Sequence, residues 1–452
     1  MSRTGRMARE RSKQRMAASD TPVTRPKPGA PGDKPIPEPP EPTVRQRLRY
    51  RFDATMSRGP IALVAEIQDP ANLEAARLVG GDETVLIDKR ETIARLIVQT
   101  SRQSGASVVY TELFDFDGDE IYFSEDPGLV GRTFGEALFA YEDCTVIGLR
   151  RAQGGVKVNP PADTPIAPGD MVIAIAEDDS RLEAAQPMVA TVDEAAIVAA
   201  PRRPEPPQRV LIVGWNQRSV TVIRELESYV APGSAVTVVA DHPGVEAELD
   251  DVRPGLANLQ LAFRRGNTTD RATLETLDLG SYDHAIAMPY SDDLDAQRAD
   301  ARTLITLLHL RDIAAGLDRR VSIVSEMLDD GNRQLAQVTE VDDVIVSDKI
   351  LSLVLAQISE NAELADVFED LLDAEGSEIY MRPVAEYVAL GRETSFATVV
   401  EAARRRDEAA IGLRFAHSSH DPEASYGVVV NPAKSRRFTP EPDDRIVVLA
   451  ED

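Results

Sequence analysis

The chain has 452 residues, a formal net charge of −26 and a single cysteine. Its charge is unevenly placed, because residues 1–60 carry a net charge of +8 and the remaining residues carry −34. A globular part this acidic repels a phosphate backbone, which argues against nucleic-acid binding. One cysteine excludes an internal disulfide and fits a reducing cytoplasm, and no apolar run reaches the length of a membrane-spanning helix.

Residues 1–60 are predicted to form a proline-rich, basic leader that contains too few apolar residues to build a core. Within this leader, Arg45–Phe52 alternates basic residues with apolar and aromatic ones. This alternation is typical either of a short amphipathic helix or of an unfolded basic patch. A contact with an anionic membrane surface is the functional alternative.

The next residues, 61–107, predict part of a Rossmann-type sheet with its helices. The predicted elements are a strand over Ile61–Glu66, a helix over Asn72–Val79, a strand over Val85–Ile87 and a helix over Glu91–Ser104. Residues 108–186 then change to short β-rich segments with glycine turns, which predicts a small β-module.

Two short segments of this β-module are predicted to form a hairpin. Val108–Tyr110 and Glu120–Phe123 have the composition of strands, and they flank the acidic stretch Asp115–Asp119. This stretch offers carboxylates for calcium, but its glycine stands at the fourth place instead of the sixth, and no glutamate follows at the twelfth. The Asp-Gly pair therefore predicts a hairpin turn.

Residues 187–208 predict a proline-rich linker, and residues 209–360 predict a second Rossmann-type domain. The predicted strands are Arg209–Gly214, Ala235–Ala240, Leu259–Phe263, His284–Met288 and Arg320–Ser325. The predicted helices are Val220–Tyr229, Ala272–Leu277 and Asp295–Leu317. Strands that alternate with helices at this spacing are typical of a doubly wound parallel sheet. Residues 361–452 predict a second β-module.

The chain contains one unit twice, and the second copy has a longer front half. Seven residues recur in the second copy at a fixed offset of 260 positions. They are Glu66, Asp69, Asn72, Ala76, Asp82, Asp88 and Lys89, which recur as Glu326, Asp329, Asn332, Ala336, Asp342, Asp348 and Lys349. The strands and helices that precede this repeat in the second copy have no counterpart in the first. We therefore expect a deletion between about Pro60 and Glu66, which removes the first four strands of the first unit.

The loop after the first strand of the second unit is the leading candidate for a ligand site. A dinucleotide fold needs glycines here, so that backbone amides can approach a pyrophosphate at a helix N-terminus. Gly214 fits the first glycine position, whereas Asn216 and Ser219 occupy the second and third. Arg218 lies between them, where its side chain could face a phosphate.

Further candidates follow the next two strands, at the carboxyl edge where such sheets bind ligands. Asp241 ends the second strand, where an acid accepts hydrogen bonds from ribose hydroxyls. Gly266, Asn267 and Asp270 follow the third strand. These residues predict a site for NAD or another adenine nucleotide. The alternative is a vestigial Rossmann fold that serves only as a scaffold.

Asp292, Asp293 and Asp295 stand at the same edge, before a long predicted helix. Their carboxylates predict either capping of that helix or a calcium site. Cys144 has no histidine near it in the sequence, and the histidines show no metal-ligand spacing. No acid–base pair is specified, so the sequence predicts a binding or regulatory protein and not an enzyme.

The repeated pair of Rossmann-type half and β-module resembles the RCK (TrkA-type) regulatory domains of potassium channels and transporters. The β-module is similar to the TrkA C-terminal domain at Leu129–Thr133, Val146–Arg150 and Pro168–Met171. This resemblance implies an α/β fold of tandem RCK-like units, of which the first is truncated. Each unit has a Rossmann-type parallel sheet portion followed by a small β-rich TrkA-C-like module.

More specifically, the chain resembles the bacterial relatives of the CASTOR/POLLUX ion channels over about residues 45–452. The segments that carry this resemblance are Arg47–Asp53, Asp69–Ala76, Asp115–Tyr122 and Ile212–Asn216. The resemblance implies two RCK units that assemble into a homo-oligomeric gating ring and bind a nucleotide or calcium. Such channels are membrane-bound, with their RCK domains in the cytoplasm, and they carry a pore that this chain is expected to lack.

The resemblance therefore implies the ligand-binding, gating-ring-type regulatory portion of a CASTOR/POLLUX-like potassium or cation channel, with a membrane pore subunit as a partner. The chain itself is expected to be cytoplasmic or peripheral to the membrane. A soluble TrkA-like nucleotide sensor is the first alternative. An NAD-dependent oxidoreductase is the second, and the incomplete glycine fingerprint argues against it.

Overall fold

The computed structural model describes residues 63–81, 84–116, 118–182, 191–198, 205–319, 321–338, 343–419 and 421–451. The predicted leader and the parts of the predicted linker at 187–190 and 199–204 lie outside these residues. Among the helices that are described, none is both long and apolar enough to cross a membrane.

The first unit combines a two-stranded sheet, three longer helices and a β-module. Its elements are β1 (Leu63–Ile67), α1 (Leu73–Gly80), β2 (Thr84–Asp88), α2 (Lys89–Arg102), α3 (Ala106–Phe114), β3 (Glu120–Ser124), α4 (Phe134–Ala137), β4 (Thr145–Arg150), β5 (Val156–Val158) and β6 (Met171–Ala176). Strands β1 and β2 pair in parallel.

The second unit begins with a six-stranded sheet and its helices. Its elements are β7 (Arg209–Val213), α5 (Arg218–Tyr229), β8 (Ser234–Ala240), α6 (Val245–Val252), β9 (Leu259–Arg265), α7 (Arg271–Glu275), β10 (His284–Ala287), α8 (Ala296–Ala315), β11 (Ser322–Met327), α9 (Arg333–Val338), β12 (Asp343–Val346), α10 (Ser347–Glu360) and α11 (Leu364–Leu372). Helix α6 is absent from the sequence prediction.

A second β-module closes the chain. Its elements are β13 (Glu378–Pro383), β14 (Thr394–Ser395), α12 (Phe396–Arg404), β15 (Ala409–Arg414), β16 (Val428–Val430), β17 (Arg437–Phe438) and β18 (Arg445–Ala450). Its main sheet has the order β13-β18-β15-β16, and the sheet of the first module has the equivalent order β3-β6-β4-β5. The two modules therefore share one topology, as the sequence repeat predicts.

The six-stranded sheet is parallel throughout and has the order β12-β11-β10-β7-β8-β9. Apolar runs such as Val210–Val213 are buried on both faces, which is typical of a parallel sheet covered by helices. This order is the doubly wound arrangement, so the predicted fold class is confirmed. The strand order reverses between β7 and β10, and ligands bind at such a reversal in open parallel sheets.

Each unit packs a long helix against the other unit. Helix α2 of the first unit packs against β10, β11 and α5 of the second, and α10 of the second unit packs against β1 of the first. The Asp88 side chain begins α2 by accepting hydrogen bonds from the amides of Arg90 and Glu91, at 2.9 and 3.1 Å. Ile93 and Ile97 of this helix are fully buried. The first unit therefore supplies part of the core that covers the second unit's sheet.

The predicted hairpin in the first module is wrong. Val108–Tyr110 lies within helix α3, where Val109, Tyr110, Leu113 and Phe114 are buried at helical spacing. Asp115 therefore follows a helix and does not connect two strands. The β-branched residues suggested a strand, but burial against α10 and β12 decides the conformation. Helix α3 also crosses the predicted domain boundary at residues 107–108.

A buried lysine joins the two β-modules. The Lys434 ammonium donates hydrogen bonds to the Cys144 carbonyl oxygen (3.0 Å) and to Thr145 Oγ1 (3.3 Å), both in the first module. Burial lowers the pKa of Lys434 to about 8, and the nearby Cys144, Glu142 and Asp143 offset only part of this effect. The ordinary lysine pKa is 10.5, so the folded chain loses this proton at a lower pH than the unfolded chain.

We predict that replacing this lysine changes the pH dependence of folding. Unfolding takes up a proton between pH 8 and 10.5, so Lys434 makes the free energy of unfolding rise with pH in that interval. Relative to Lys434→Met, the wild type should gain roughly 3 kcal/mol between pH 7 and the upper end of this interval. Urea unfolding at several pH values measures this difference. Lys157→Met, at an exposed lysine paired with Glu451, is the control and should show no such gain.

Candidate functional site

Gly214 closes the first strand of the six-stranded sheet at the point where strand order reverses. Its φ of +98° lies in the region that favours glycine, and its amide donates to the Val239 carbonyl oxygen at 2.9 Å. A Cβ atom here would lie 2.0 Å from the Met288 carbonyl oxygen. The loop therefore requires glycine because it passes close to the backbone beyond β10.

The other two fingerprint positions carry side chains that bond within the loop. Asn216 is 1% exposed, and its Oδ1 accepts a hydrogen bond from the Arg218 amide at 2.9 Å. Its Nδ2 donates to the Pro289 carbonyl oxygen at 2.9 Å, and its backbone amide donates to Ser219 Oγ at 3.1 Å. Asn216 and Ser219 thus hold the loop with side chains at positions where a dinucleotide fingerprint has glycines.

Arg218 is turned inward to a buried carboxylate. Its Nε and Nη2 lie 3.3 and 2.5 Å from the oxygens of Glu326, whose side chain is fully buried. Glu326 also accepts hydrogen bonds from Asn216 Nδ2 (3.3 Å) and from Ser347 Oγ. The guanidinium at the start of α5 is therefore paired with a buried carboxylate within the protein. The sequence prediction missed Glu326 as a site residue, although the repeat had aligned it with Glu66.

Asp241 and Asn267 line a cleft of about 470 Å³ beside β8 and β9. The Asp241 side chain is about half exposed, and its carboxylate lies 3.8 Å from Arg265 Nε. Arg298 and Arg302, one helical turn apart on α8, line the same cleft. It therefore combines the acid that was predicted to bind the ribose with two cations that the sequence prediction did not include.

Arg302 is fixed in this cleft by its neighbours. Its guanidinium lies 4.0 Å from the centre of the Tyr290 ring, and its Nη2 donates to Asn267 Oδ1 at 3.3 Å. The Tyr290 hydroxyl in turn accepts a hydrogen bond from the Asp241 amide at 3.1 Å. The wall of the cleft is thus organised without a ligand, which lowers the entropic cost of binding one.

The remaining predicted nucleotide residues have local structural roles. Asp270 caps α7, where its carboxylate accepts from the Ala272 amide (3.3 Å) and from Thr273 Oγ1 (3.0 Å). At Gly266, an added Cβ would lie 2.7 Å from Thr273 Cγ2. Both residues therefore shape the turn between β9 and α7, and neither lines the cleft.

A second cleft, of about 370 Å³, lies at the start of α5 and is lined by both units. Arg90 Nη2 of the first unit donates to Gln217 Oε1 at 2.6 Å. Lys89 Nζ lies 2.6 Å from Asp348 Oδ1 in the second unit and 3.5 Å from Glu66 Oε1 in its own. Leu294 lines both this cleft and the Asp241 cleft. A ligand that extends past Leu294 can therefore contact both units.

The three aspartates of the predicted calcium site have separate protein partners. Asp292 Oδ2 accepts from the Gln217 amide at 2.7 Å, and Asp293 Oδ2 lies 3.4 Å from His242 Nε2. Asp295 caps α8 by accepting from the Arg298 amide at 3.1 Å. In the part of the chain that is described, no group of three or more His, Cys, Asp or Glu side chains is placed to hold a metal ion. Asp295 therefore caps the helix, which was the alternative to a calcium site. The three aspartates predicted as calcium ligands bond to separate protein groups.

We predict that removing the Arg218 guanidinium strongly destabilises the fold. Arg218→Met leaves the buried Glu326 carboxylate without its cation and should lower the free energy of unfolding by about 3 kcal/mol. Adding Glu326→Gln to this variant should restore a large part of the loss, because the buried charge is then absent. Urea unfolding of the single and double variants measures both effects.

The matched control for this pair is Arg271→Met, which removes an exposed ion pair with Asp312. We expect a loss below about 1 kcal/mol for this surface pair. If Arg218→Met lowers the free energy of unfolding as little as the control does, Arg218 does not stabilise the buried carboxylate.

Comparison with known proteins shows what the chain is similar to. Residues 90–193 match a protein family described as Castor and Pollux, part of voltage-gated ion channel. The ion channel CASTOR of Lotus japonicus is 30% identical over 86% of this chain and 49% of its own length. The ion channel POLLUX of Lotus japonicus is 28% identical over 82% of this chain and 44% of its own length.

A solved structure of the human SLO3 gating ring shares the fold. It matches with a TM-score of 0.62 and 14% sequence identity, over 85% of this chain and 80% of that one. The chain spans about half the length of the plant channels it matches. Over most of its length the chain is similar in sequence to the CASTOR/POLLUX ion channels, as the resemblance of its motifs indicated.

Proposed function

We propose that the chain is the ligand-binding regulatory portion of a CASTOR/POLLUX-type potassium or cation channel. It acts by changing the arrangement of its two units, without catalysis. The relatives are ion channels, and the described residues have the fold of a gating ring. A membrane pore subunit is the partner that this function requires.

The cleft at the start of α5 carries the proposal. It is lined by Lys89 and Arg90 of the first unit and by Gln217 and Asp348 of the second. A ligand that binds one relative position of the units better than another shifts the equilibrium between them. The hydrogen bonds between the units here are direct, so a small displacement of α2 changes the shape of the cleft.

An adenine nucleotide, such as NAD, is the ligand we propose for these clefts. Asp241 supplies the carboxylate for the ribose hydroxyls, and Arg298 and Arg302 supply positive charge for phosphate oxygens. The inward position of Arg218 favours phosphates near α8 over the usual place at the start of α5. Calcium has less support, because its three predicted ligands bond to separate protein groups.

The two alternatives differ from this proposal in observable ways. A soluble TrkA-like sensor would bind the same nucleotide without co-purifying with a membrane pore protein. An NAD-dependent oxidoreductase would consume NADH in the presence of a substrate. The side chains of Asn216 and Ser219 argue against the oxidoreductase, because they stand where a pyrophosphate loop has glycines.

We predict that Asp241→Ala weakens adenine-nucleotide binding at least tenfold. The variant removes a charged acceptor of ribose hydroxyls, and hydrogen bonds to charged groups contribute about 1.5–3 kcal/mol. Isothermal titration calorimetry with NAD and with ADP measures the change. Asp250→Ala, at an exposed aspartate of α6, is the matched control and should bind like the wild type. Equal affinities for Asp241→Ala and wild type would refute the ribose assignment.

We also predict that the chain forms a homo-oligomer through the outer face of α8 and α9. Ile305 and Leu308 of α8 and Leu335 of α9 are 45%, 53% and 56% exposed, and the two helices contact each other. Exposed apolar patches of this kind are typical of protein interfaces. A second copy is the proposed occupant because the matched fold is that of a gating ring.

Light scattering after size-exclusion chromatography tests this contact. Leu308→Glu should lower the measured mass relative to the wild type, since a charge in an apolar interface opposes association. Leu78→Glu, at an exposed leucine of α1, is the control and should leave the mass unchanged. A wild-type chain that is monomeric at high micromolar concentration would contradict the prediction.

A further inference from the structure

A third cavity, of about 570 Å³, lies at the amino edge of the six-stranded sheet, opposite the nucleotide clefts. Three parts of the chain meet there: the end of α2, the starts of β10 and β11, and the second β-module. The residues that line it include Arg102, Ser104, Asp283, Ser322, Arg414 and Arg445. Nothing in the proposed function uses this cavity.

Two buried hydrogen-bond donors in this cavity lack an acceptor. The Arg102 side chain is 3% exposed, and its Nη2 donates to Glu205 at 2.8 Å. Its Nε, however, is buried without a hydrogen-bond partner, as is the Oγ of Ser322. Buried donors are normally satisfied, so two of them beside one cavity indicate an acceptor-rich occupant.

Two arginines of the second module stand opposite each other on the wall. Arg414 and Arg445 are partners in the register of β15 and β18, where like charges directly opposite are destabilising. Arg414 Nη1 donates to the Ser104 carbonyl oxygen at 2.7 Å, so this arginine also fixes the module to the end of α2. The Arg445 side chain is exposed at the mouth of the cavity. An anion bound to Arg445 would offset this repulsion.

Three acids lie in or beside this cavity, and two of them are paired with arginines. Asp283 is held by Arg319 Nη2 at 2.6 Å and by the Arg209 amide at 2.8 Å, and Glu205 is held by Arg102. Asp443 lines the cavity from the turn before β18.

We infer that this cavity binds a phosphate monoester, with the phosphate between Arg102 and Arg445. Arginine presents paired donors that match phosphate oxygens, and the unused donors of Arg102 and Ser322 fit acceptor oxygens. The cavity is larger than inorganic phosphate alone requires, which leaves room for the organic part. Such a ligand would contact α2, the sheet and the second module together, and would fix their relative positions.

Isothermal titration calorimetry of the full chain with ribose 5-phosphate tests this inference, in phosphate-free buffer at physiological salt. We expect saturable binding that Arg445→Gln weakens at least fivefold and Ser322→Ala weakens about threefold. Inorganic phosphate should bind more weakly than ribose 5-phosphate, and free ribose should not bind.

Two variants serve as controls. Arg437→Gln removes an exposed arginine of the same module that pairs with Glu393, and Asp241→Ala alters the nucleotide cleft; both should bind ribose 5-phosphate like the wild type. The inference is overturned if ribose 5-phosphate gives no heat at millimolar concentration, if Arg445→Gln binds as the wild type does, or if free ribose binds equally well. A loss caused by Asp241→Ala would assign the binding to the nucleotide cleft and would also overturn it.

Discussion

The rest of the structure depends on one constraint, which is that each unit packs a long helix against the other. A two-stranded parallel sheet buries too little surface to be stable alone. Strands β1 and β2 are stabilised because α10 of the second unit packs against β1. Helix α2 of the first unit in turn covers the larger sheet. Neither unit therefore has a complete core without the other. Under the proposed function, a change in the relative position of the units would act through these shared helices, because they hold the units together.

The same constraint explains why the two halves of the predicted nucleotide site differ. The start of α5 lies against the first unit, and its loop is stabilised by the Arg218–Glu326 pair and the buried side chain of Asn216. The Asp241 cleft lies farther along the sheet and is exposed to solvent. At the interface between the units, the fingerprint positions Asn216 and Ser219 hold side chains that bond within the loop, whereas Asp241 at the solvent-facing position lines an open cleft. The departures from the glycine fingerprint thus have a structural cause.

The sequence predicted the order of strands well where patterns were long and apolar, as in the β7–β10 region, but it missed helix α6 between β8 and β9. It failed at Val108–Tyr110, because β-branched residues in a short helix look like a strand until their burial partners are known. It placed Asp241 and Asn267 at the carboxyl edge of the sheet, where both line one cleft, because their places at strand ends follow from chain order. It missed Glu326, Arg302 and Lys89, since their roles depend on contacts between segments far apart in the sequence.

The length of helix α2 places its two ends at two different cavities. Its first residues, Lys89 and Arg90, line the cleft at the carboxyl edge of the sheet, and its last residue, Arg102, lines the cavity at the amino edge. A helix of 14 residues is about 20 Å long and moves as a rigid body. A ligand at one end that favours one position of α2 therefore changes the affinity at the other end, and this coupling is reciprocal. Helix α2 is thus the element of the first unit that can connect the two proposed ligand sites.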